Sequence, residues 1–218
     1  LSPGMDDKDI EDYTALPFVT IDNDGSRDLD QAVYVERDGP GYRIWYAIAD
    51  ASYYVKPGSA LFSESLKRGA SFYLPSFTVP MLPPELSEGI ISLNPDVKRR
   101  SLLFIMKIDG RGICLSTEIK RGVIISRGKL SYSGVQEFYD DPAAGSFHGR
   151  EFEPSLLMLQ EAGRLLAGQS AERGVISFER NELEAAIESS GESLSYHNRC
   201  RSDAAFWNEQ VSLLCNME

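Results

Sequence analysis

The sequence predicts an α+β fold in which mixed or antiparallel sheets pack against helices. Strand-like apolar stretches separated by turn-forming residues recur along the first 126 positions, at 17–21, 32–36, 42–49, 101–109 and 112–126. Leucines recur at helical spacing over 154–174, and a Ser-Asp pair opens a second helical stretch at 202–218. Together, these strand and helix patterns favour a mixed fold over an all-helical or all-strand one.

The first half of the chain begins with the strand PFVTI at 17–21. The strands at 32–36 and 42–49 flank the turn sequence RDGPG, so these three strands are expected to form a hairpin or meander. A short helix is predicted over 60–68 from the spacing of its apolar residues. The next segment, 73–87, contains four prolines and is therefore expected to be extended and stiff.

The second half begins with the strands 101–109 and 112–126 around an Asp109-Gly110 turn. Ser131 or Ser133 is a candidate cap for a short helix within 129–140. The helix 154–174 ends at a glycine, and VISFE at 175–179 follows it as a strand. The last helix, 202–218, continues to the final residue without a stop signal, which predicts that the chain ends inside a larger fold.

Composition and charge narrow the classes of protein. The 218 residues are 42% hydrophobic, which is typical of a globular chain, and residues 1–15 are expected to be an acidic tail or linker before a domain at 16–218. No apolar run reaches membrane-spanning length, and the N-terminus lacks a signal peptide's apolar region. Three widely spaced cysteines favour reduced thiols in the cytoplasm. A net charge of −11 fits either avoidance of polyanions or an acidic centre that recruits divalent cations.

An aspartate cluster lies in the segment TIDNDGSRDLDQA, residues 20–32. Asp22 ends the first strand, and Asp28 and Asp30 are two apart, so an extended backbone directs both to one face. The Gly25-Ser26 turn allows Asp22 to fold back toward that pair. Three converging carboxylates would suit Mg²⁺ or Mn²⁺, and two such ions about 4 Å apart would suit in-line attack on a phosphodiester.

The same segment has two other interpretations. A solvated acidic loop would have the same composition, because Asp, Asn and Gly are common loop formers. An EF-hand calcium loop does not fit, because counting from Asp22 places the glycine at position four instead of six.

The aspartate cluster is part of a series of distinctive blocks that follow one another along the chain. In order, the blocks are TIDNDGSRDLDQAVYVE, WYAIADASYYVKPGSAL, FYLPSFTVPMLPPELSEGIISLNPDVKR, KLSYSGVQ and ERGVISFE. The whole set resembles the catalytic RNB domain of the ribonuclease II family. The resemblance runs from about Pro17 to the C-terminus and includes the proline-rich block.

This resemblance implies a processive 3′-to-5′ exoribonuclease that hydrolyses single-stranded RNA with Mg²⁺ and releases nucleoside 5′-monophosphates. By resemblance, Asp22 is a metal ligand, Asp28 supports the metal cluster, and Asp30 is essential for the chemistry. Asp24 matches no family acid and is expected to be a solvated turn residue.

Gln31 departs from the family pattern, because the family has a fourth, metal-binding acid at this position. A glutamine carbonyl oxygen can still ligate a metal, with less charge. The change is consistent with weaker metal affinity, with an inactive site, or with a subgroup that tolerates glutamine. We favour the subgroup, because the other three acids and the flanking blocks are intact.

The resemblance also assigns two tyrosines to RNA binding. Tyr73 matches a tyrosine that stacks on a base near the RNA 3′ end, and Tyr132 matches one that helps to hold that end. Packing roles are the alternative for both. Asp50 is expected to be a structural capping residue, and the basic run 98–100 is expected either to contact phosphate or to be solvated.

The chain lacks the arginine-containing block of the later RNB domain and the flanking OB-fold RNA-binding domains. It is therefore expected to be the front half of a truncated catalytic domain, with the rest of that domain, the OB folds and single-stranded RNA as partners. Such a half-domain is expected to bind metal but cleave poorly, and to expose apolar surface that favours self-association. Two rival hypotheses are a catalytically impaired RNA-binding or scaffold module and a cation-binding domain without an RNA role.

Overall fold

The computed structural model describes residues 4–5, 7–74, 77–143, 145–175, 182–187, 194–199 and 201–218. The described strands are β1 (Glu11–Asp12), β2 (Phe18–Asp22), β3 (Gln31–Asp38), β4 (Gly41–Ala49), β5 (Phe72–Tyr73), β6 (Thr78–Val79), β7 (Lys98–Ile108), β8 (Cys114–Ser131), β9 (Glu182–Ile187) and β10 (Leu194–Arg199). The described α-helices are α1 (Ala51–Tyr54), α2 (Ala60–Arg68), α3 (Tyr132–Asp140), α4 (Glu153–Glu172) and α5 (Asp203–Met217). The predicted α+β class is confirmed.

Six strands form one mixed sheet in the order β1-β8-β2-β3-β4-β7, and β7 also pairs with β8. The 18-residue strand β8 makes this closure possible, because its first part pairs antiparallel with β7 and its last part pairs parallel with β2. The parallel pairing aligns Asp22 with Ser131, the residue before α3. Residues more than 100 positions apart are thereby brought to the same end of the sheet.

Alternating side chains along the strands supply two hydrophobic cores. On β4, Ile44 and Tyr46 belong to the core that packs against α3, α4 and α5. Ala47 and Ala49 belong to the second core, which includes Phe18, Leu29 and residues of the segment 82–93. The second core therefore ties the segment 82–93 to the chain beside Asp28 and Asp30.

The helices agree with the sequence predictions at 60–68, 154–174 and 202–218, within the usual uncertainty of helix ends. Ser131 is the N-cap of α3, and its Oγ accepts a hydrogen bond of 3.1 Å from the backbone N–H of Gly134. Of the predicted strand 175–179, residues 176–179 lie outside the described residues. Helix α1 and the β9–β10 hairpin were not predicted from the sequence.

The proline-rich segment is not uniformly extended as predicted. β5 and β6 form a small antiparallel hairpin, and a π-helical turn spans Glu85–Ile90. Proline fixes φ near the helical value and is tolerated in the first turn of a helix, so Pro83 and Pro84 lead into this turn. The carbonyl of Pro83 accepts a hydrogen bond of 2.8 Å from the N–H of Leu86.

Part of the segment 1–15, which is predicted to be an acidic tail or linker, contacts the sheet. β1 pairs with β8, and the N–H of Tyr13 donates to the carbonyl of Val123 at 2.9 Å. Asp7 forms an ion pair of 3.2 Å with Arg100. The division of the chain near residue 15 stays a prediction. Within the described residues, no helix has the length and apolar character needed to cross a bilayer.

Candidate active site

Three aspartates lie around the point where β2 ends and β3 begins. Asp22 is the last residue of β2, and Asp28 and Asp30 flank the buried Leu29 just before β3. The carbonyl of Asp30 accepts a hydrogen bond of 2.8 Å from the N–H of Ala49, which attaches this end of the segment to β4.

A compact turn joins the two halves of the cluster. One Asp22 carboxylate oxygen accepts a hydrogen bond of 2.7 Å from the N–H of Asn23, and the N–H of Ser26 donates to the carbonyl of Asn23 at 3.0 Å. The Lys129 ammonium donates to the carbonyl of Asp24 at 3.0 Å. The Asp24 residue is exposed, so its place on the turn agrees with the expected role of shaping the loop.

The carboxylates are close enough to influence one another electrostatically. Partial desolvation by surrounding protein atoms is the main cause that raises the pKa of Asp30 to about 6, and the negative charges of Asp28 and Asp22 raise this pKa further. Asp30 still has substantial solvent exposure. A bound divalent cation would offset the repulsion and favour the ionised carboxylate.

The three aspartates do not form a closed, preformed ligand cage. Among the residues that the structure describes, no group of three or more His, Cys, Asp or Glu side chains is arranged to hold a metal ion. Mg²⁺ commonly takes only one or two protein carboxylates and completes its shell with water and substrate phosphate. Carboxylate oxygens are the donor type that Mg²⁺ prefers, so the chemistry of the three side chains suits such an ion, and metal binding by them stays a prediction.

Gln31, the first residue of β3, is bonded to the core below the cluster. Its side-chain carbonyl oxygen accepts a hydrogen bond from the hydroxyl of Tyr46, a tyrosine that is 2% exposed. Because a carbonyl oxygen has two lone pairs, this bond leaves one acceptor position on the oxygen. Metal binding by Gln31 stays a prediction, and sequence reasoning missed its contact with Tyr46.

Tyr73 connects the β5–β6 hairpin to the aspartates. Its hydroxyl donates a hydrogen bond to a carboxylate oxygen of Asp28, and the residue is 66% exposed. This bond and partial desolvation raise the pKa of Tyr73 to about 12, so the hydroxyl stays protonated at neutral pH. The structure thus brings Tyr73 to the cluster and leaves much of the side chain accessible.

Tyr132 follows Ser131, the residue paired with Asp22, and is therefore next to the cluster along the chain. Its hydroxyl accepts a hydrogen bond of 3.4 Å from the Asn208 side chain on α5. The position is compatible with both interpretations of Tyr132, packing at a helix start and contact with a bound RNA end.

Two residues of the basic run have structural partners. Arg100 is 2% exposed and pairs with the buried Asp50 at 3.2 Å. Arg99 donates to the carbonyls of Ser92 at 2.9 Å and Gly89 at 3.1 Å. The expectation of a solvated or phosphate-binding run is therefore wrong for Arg100 and lacks support for Arg99, whereas Lys98 is exposed.

Asp50 has a structural environment, although not the expected one. It precedes α1 but makes no side-chain capping hydrogen bond to that helix. Its carboxylate instead pairs with Arg100 and accepts a hydrogen bond of 2.8 Å from the Ser52 hydroxyl. Pairing with Arg100 joins the end of β4 to β7, a tertiary contact that the sequence pattern does not display.

Comparison with known proteins identifies the family. The RNB domain model matches residues 10–218. This chain belongs to the RNB domain family. Ribonuclease R of Vibrio cholerae is 37% identical to it over 207 residues, which cover 94% of this chain and 25% of the relative. This chain thus spans about a quarter of the length of the curated relatives it matches.

Two solved structures of RNase R have a similar architecture. RNase R of Mycoplasma genitalium in complex with ribose-methylated single-stranded RNA superposes with a TM-score of 0.87 at 28% identity, over 96% of this chain and 32% of that chain. The same enzyme in complex with double-stranded RNA gives a TM-score of 0.89 at 27% identity, over 99% and 38%. These matches support the fold over nearly the whole chain.

Proposed function

We propose that the protein carrying this chain is a Mg²⁺-dependent exoribonuclease that hydrolyses single-stranded RNA from its 3′ end and releases nucleoside 5′-monophosphates. The observation that carries the proposal is the placement of Asp22, Asp28 and Asp30 around the connection between β2 and β3, with the exposed Tyr73 donating a hydrogen bond to Asp28. Membership of the RNB family and similarity to Ribonuclease R support this reaction over other metal-dependent hydrolyses. The cytoplasm is the proposed location.

The residues near the aspartate cluster would have separate roles in binding RNA and in binding the metal ion. The Tyr73 ring would stack on a base near the 3′ end, which is a sequence-tolerant contact because every base has a π face. Tyr132, next to the cluster, would help to hold the RNA end. Asp22, Asp28 and Asp30 would hold Mg²⁺ or Mn²⁺, with Gln31 contributing a neutral oxygen. When bound, the cation would neutralise phosphate charge and make water a better nucleophile at neutral pH.

Hydrolysis breaks the bond between phosphorus and the 3′ oxygen of the preceding nucleotide. Water adds to phosphorus, the 3′ oxygen takes up a proton, and the terminal nucleotide departs with a 5′ phosphate. Asp30 is proposed to be essential for this chemistry. Its carboxylate lies within electrostatic reach of Asp28 and Asp22, where it would be available to the cation or to the attacking water.

Residues outside this chain are proposed to complete the active protein. The remainder of the RNB domain and OB-fold RNA-binding domains would supply basic contacts to RNA. The four side chains Phe72, Leu74, Phe77 and Val79 share the hairpin face opposite Tyr73 and are 37–58% exposed. This apolar face is compatible with the predicted self-association of the isolated 218 residues.

The test is release of mononucleotides from single-stranded RNA by the full-length protein that carries this chain. We expect Mg²⁺-dependent release by the wild type and a fall in kcat of roughly 100-fold or more in Asp30→Asn, because a charge at the reacting centre is lost. Asp24→Asn is the matched control and is expected to retain activity, since Asp24 lies on the exposed turn. Equal release by wild type and Asp30→Asn would refute the catalytic assignment.

A catalytically impaired RNA-binding module is the second candidate, and Gln31 is the observation that favours it. Gln31 lacks the charge of the acid that the family has at this position, and its oxygen is already bonded to Tyr46. RNA binding without Mg²⁺-dependent release of nucleotides would support this candidate. Appearance of hydrolysis in Gln31→Asp would then identify the missing charge as the cause.

A further inference from the structure

Ser92 forms two hydrogen bonds to the backbone that carries Asp28 and Asp30. It is 0% exposed and lies on the segment after the π-helical turn. Its Oγ–H donates to the carbonyl of Arg27 at 2.7 Å, and the same oxygen accepts a hydrogen bond of 2.9 Å from the N–H of Leu29. Both hydrogen-bonding functions of the hydroxyl are thus used on two residues that flank Asp28.

A third bond secures the residue between the two aspartates. The N–H of Leu93 donates to the carbonyl of Leu29 at 2.8 Å, so both backbone polar groups of Leu29 are held by the 92–93 segment. The Leu29 side chain is 1% exposed and packs in the second core. Leu29 is thus held in the core, whereas its neighbours Asp28 and Asp30 are partly buried and exposed, respectively.

Arg99 holds Ser92 from the other side. Its Nε donates to the carbonyl of Ser92 at 2.9 Å, and Nη2 donates to the carbonyl of Gly89 at 3.1 Å. The rigid guanidinium fork makes these two bonds simultaneously, which the single ammonium of a lysine does not reproduce. The contacts therefore run from Arg99 through Ser92 to the backbone at Arg27 and Leu29.

The hydrogen bonds from Ser92 and Leu93 hold a stretch of backbone that has no regular secondary structure. No described residue from 23 to 30 belongs to a helix or strand, yet this stretch carries two carboxylates that repel each other and Asp22. Without regular pairing, like-charge repulsion would favour separation of the carboxylates. Hydrogen bonds to buried partners restrict that movement at both sides of Asp28.

We propose that Ser92, supported by Arg99, is a positioning residue that fixes the backbone at Asp28 and Asp30, from which their carboxylates would bind a divalent cation. The expected change in kcat rests on the proposed function. The expected change in cation affinity does not require that the protein hydrolyses RNA. A misplacement of about 1 Å in a catalytic group is sufficient to reduce a rate roughly 100-fold.

The test compares Ser92→Ala with Ser101→Ala in the full-length protein. Ser101 is also 0% exposed, and its hydroxyl donates to the carbonyl of Gly122 at 3.2 Å, between β7 and β8. Each protein is characterised by thermal unfolding, by kcat and KM on single-stranded RNA, and by Mn²⁺ affinity from electron paramagnetic resonance. Both variants are expected to lose stability, because each loses a buried hydrogen bond.

Of the two serine variants, only Ser92→Ala is expected to change the site. We expect its kcat to fall by roughly 10- to 100-fold with KM for RNA nearly unchanged, and its Mn²⁺ affinity to fall several-fold. Ser92→Cys, which retains a weak donor and acceptor, is expected to recover part of the lost affinity. Arg99→Lys, which retains charge but not the fork, is expected to show a smaller loss of the same kind.

The outcomes separate this inference from the proposed function. If Ser92→Ala and Ser101→Ala lose stability alike and both keep wild-type Mn²⁺ affinity, the positioning role is wrong, whatever the nuclease activity. If Ser92→Ala does not fold, unchanged Mn²⁺ affinity in Arg99→Lys overturns the inference. A wild type that binds Mn²⁺ but does not hydrolyse RNA would reject the proposed function, while weaker Mn²⁺ binding in Ser92→Ala would still support the positioning role.

Discussion

The buried Asp50 and the cluster formed by Asp22, Asp28 and Asp30 lie in opposite electrostatic environments. Asp50 is 2% exposed and lies against the Arg100 guanidinium, so its charge is neutralised within the fold. Asp22, Asp28 and Asp30 lie near one another, and no Lys, Arg or His of the described residues forms an ion pair with them. The comparison distinguishes an acid that stabilises the fold from acids whose charge remains available to an external cation.

The largest effect on stability is expected for Asp50→Asn. The substitution would leave Arg100 buried with only the half-exposed Asp7 as an ionic partner, and breaking a buried pair in this way costs about 3–5 kcal/mol. Because Asp7 and the carbonyl of Gly4 still contact Arg100, we expect a loss near the lower end, to be measured by urea unfolding. Asp7→Asn is the control and is expected to cost less, since Asp7 is partly solvated. Equal losses in the two variants would contradict the conclusion that Asp50 stabilises the fold more than Asp7 does.

A smaller effect is expected for the contact between Tyr73 and RNA. Tyr73→Ala should weaken binding of single-stranded RNA by about 1–3 kcal/mol, the range for loss of one stacked base. Tyr73→Phe retains the ring and loses only the bond to Asp28, so it should keep most of the affinity. Fluorescence anisotropy with labelled RNA, in Ca²⁺ to limit hydrolysis, measures both. An equal loss in both variants would indicate that the hydroxyl, and not the ring, makes the contact.

The smallest effect is expected for the pH dependence of stability in metal-free buffer. The pKa of Asp30 is raised in the folded state from 3.8 to about 6, so the folded protein binds its proton more tightly than the unfolded chain does. Ionised Asp30 therefore destabilises the fold above about pH 7, and this penalty disappears as pH falls toward 4. Water screening limits the size of the effect because Asp30 remains solvent-exposed.

Thermal unfolding of Asp30→Asn measures this effect. The variant is expected to have a higher Tm than the wild type at pH 7.5 in EDTA, and the difference should shrink steadily toward pH 4. A lower Tm at pH 7.5, or a difference that does not change with pH, would argue against the raised pKa. The same substitution is expected to abolish most nuclease activity, so stability and function should change in opposite directions.

Local sequence patterns were sufficient to predict much of the fold. Helices α2, α4 and α5 and the meander β2-β3-β4 followed from spacing and turn residues, which act over a few positions. The hairpin and π-helical turn in the proline-rich segment were missed, because the sequence pattern there indicated only what proline disfavours. The closure of the sheet depends on β8 pairing with strands far away in sequence, which periodicity does not reveal.

The candidate site also contains some residues that local sequence patterns predict and others whose contacts form only when distant segments fold together. Asp22, Asp28 and Asp30 were found from their spacing and from the family resemblance, both of which are visible in a short stretch. The partners of Gln31 and Arg99, and the buried bonds of Ser92, depend on segments brought together by folding. Charge alone was misleading at Arg100, since the sequence does not reveal that the neighbouring strand end supplies Asp50.

Mn²⁺ binding to the full-length protein tests most directly the claim that these three carboxylates hold a divalent cation. Electron paramagnetic resonance titrations should show saturable binding by the wild type and by Asp24→Asn. The triple variant Asp22→Asn, Asp28→Asn and Asp30→Asn should lose that binding while retaining a folded thermal transition. Wild-type Mn²⁺ affinity in the folded triple variant would contradict the account.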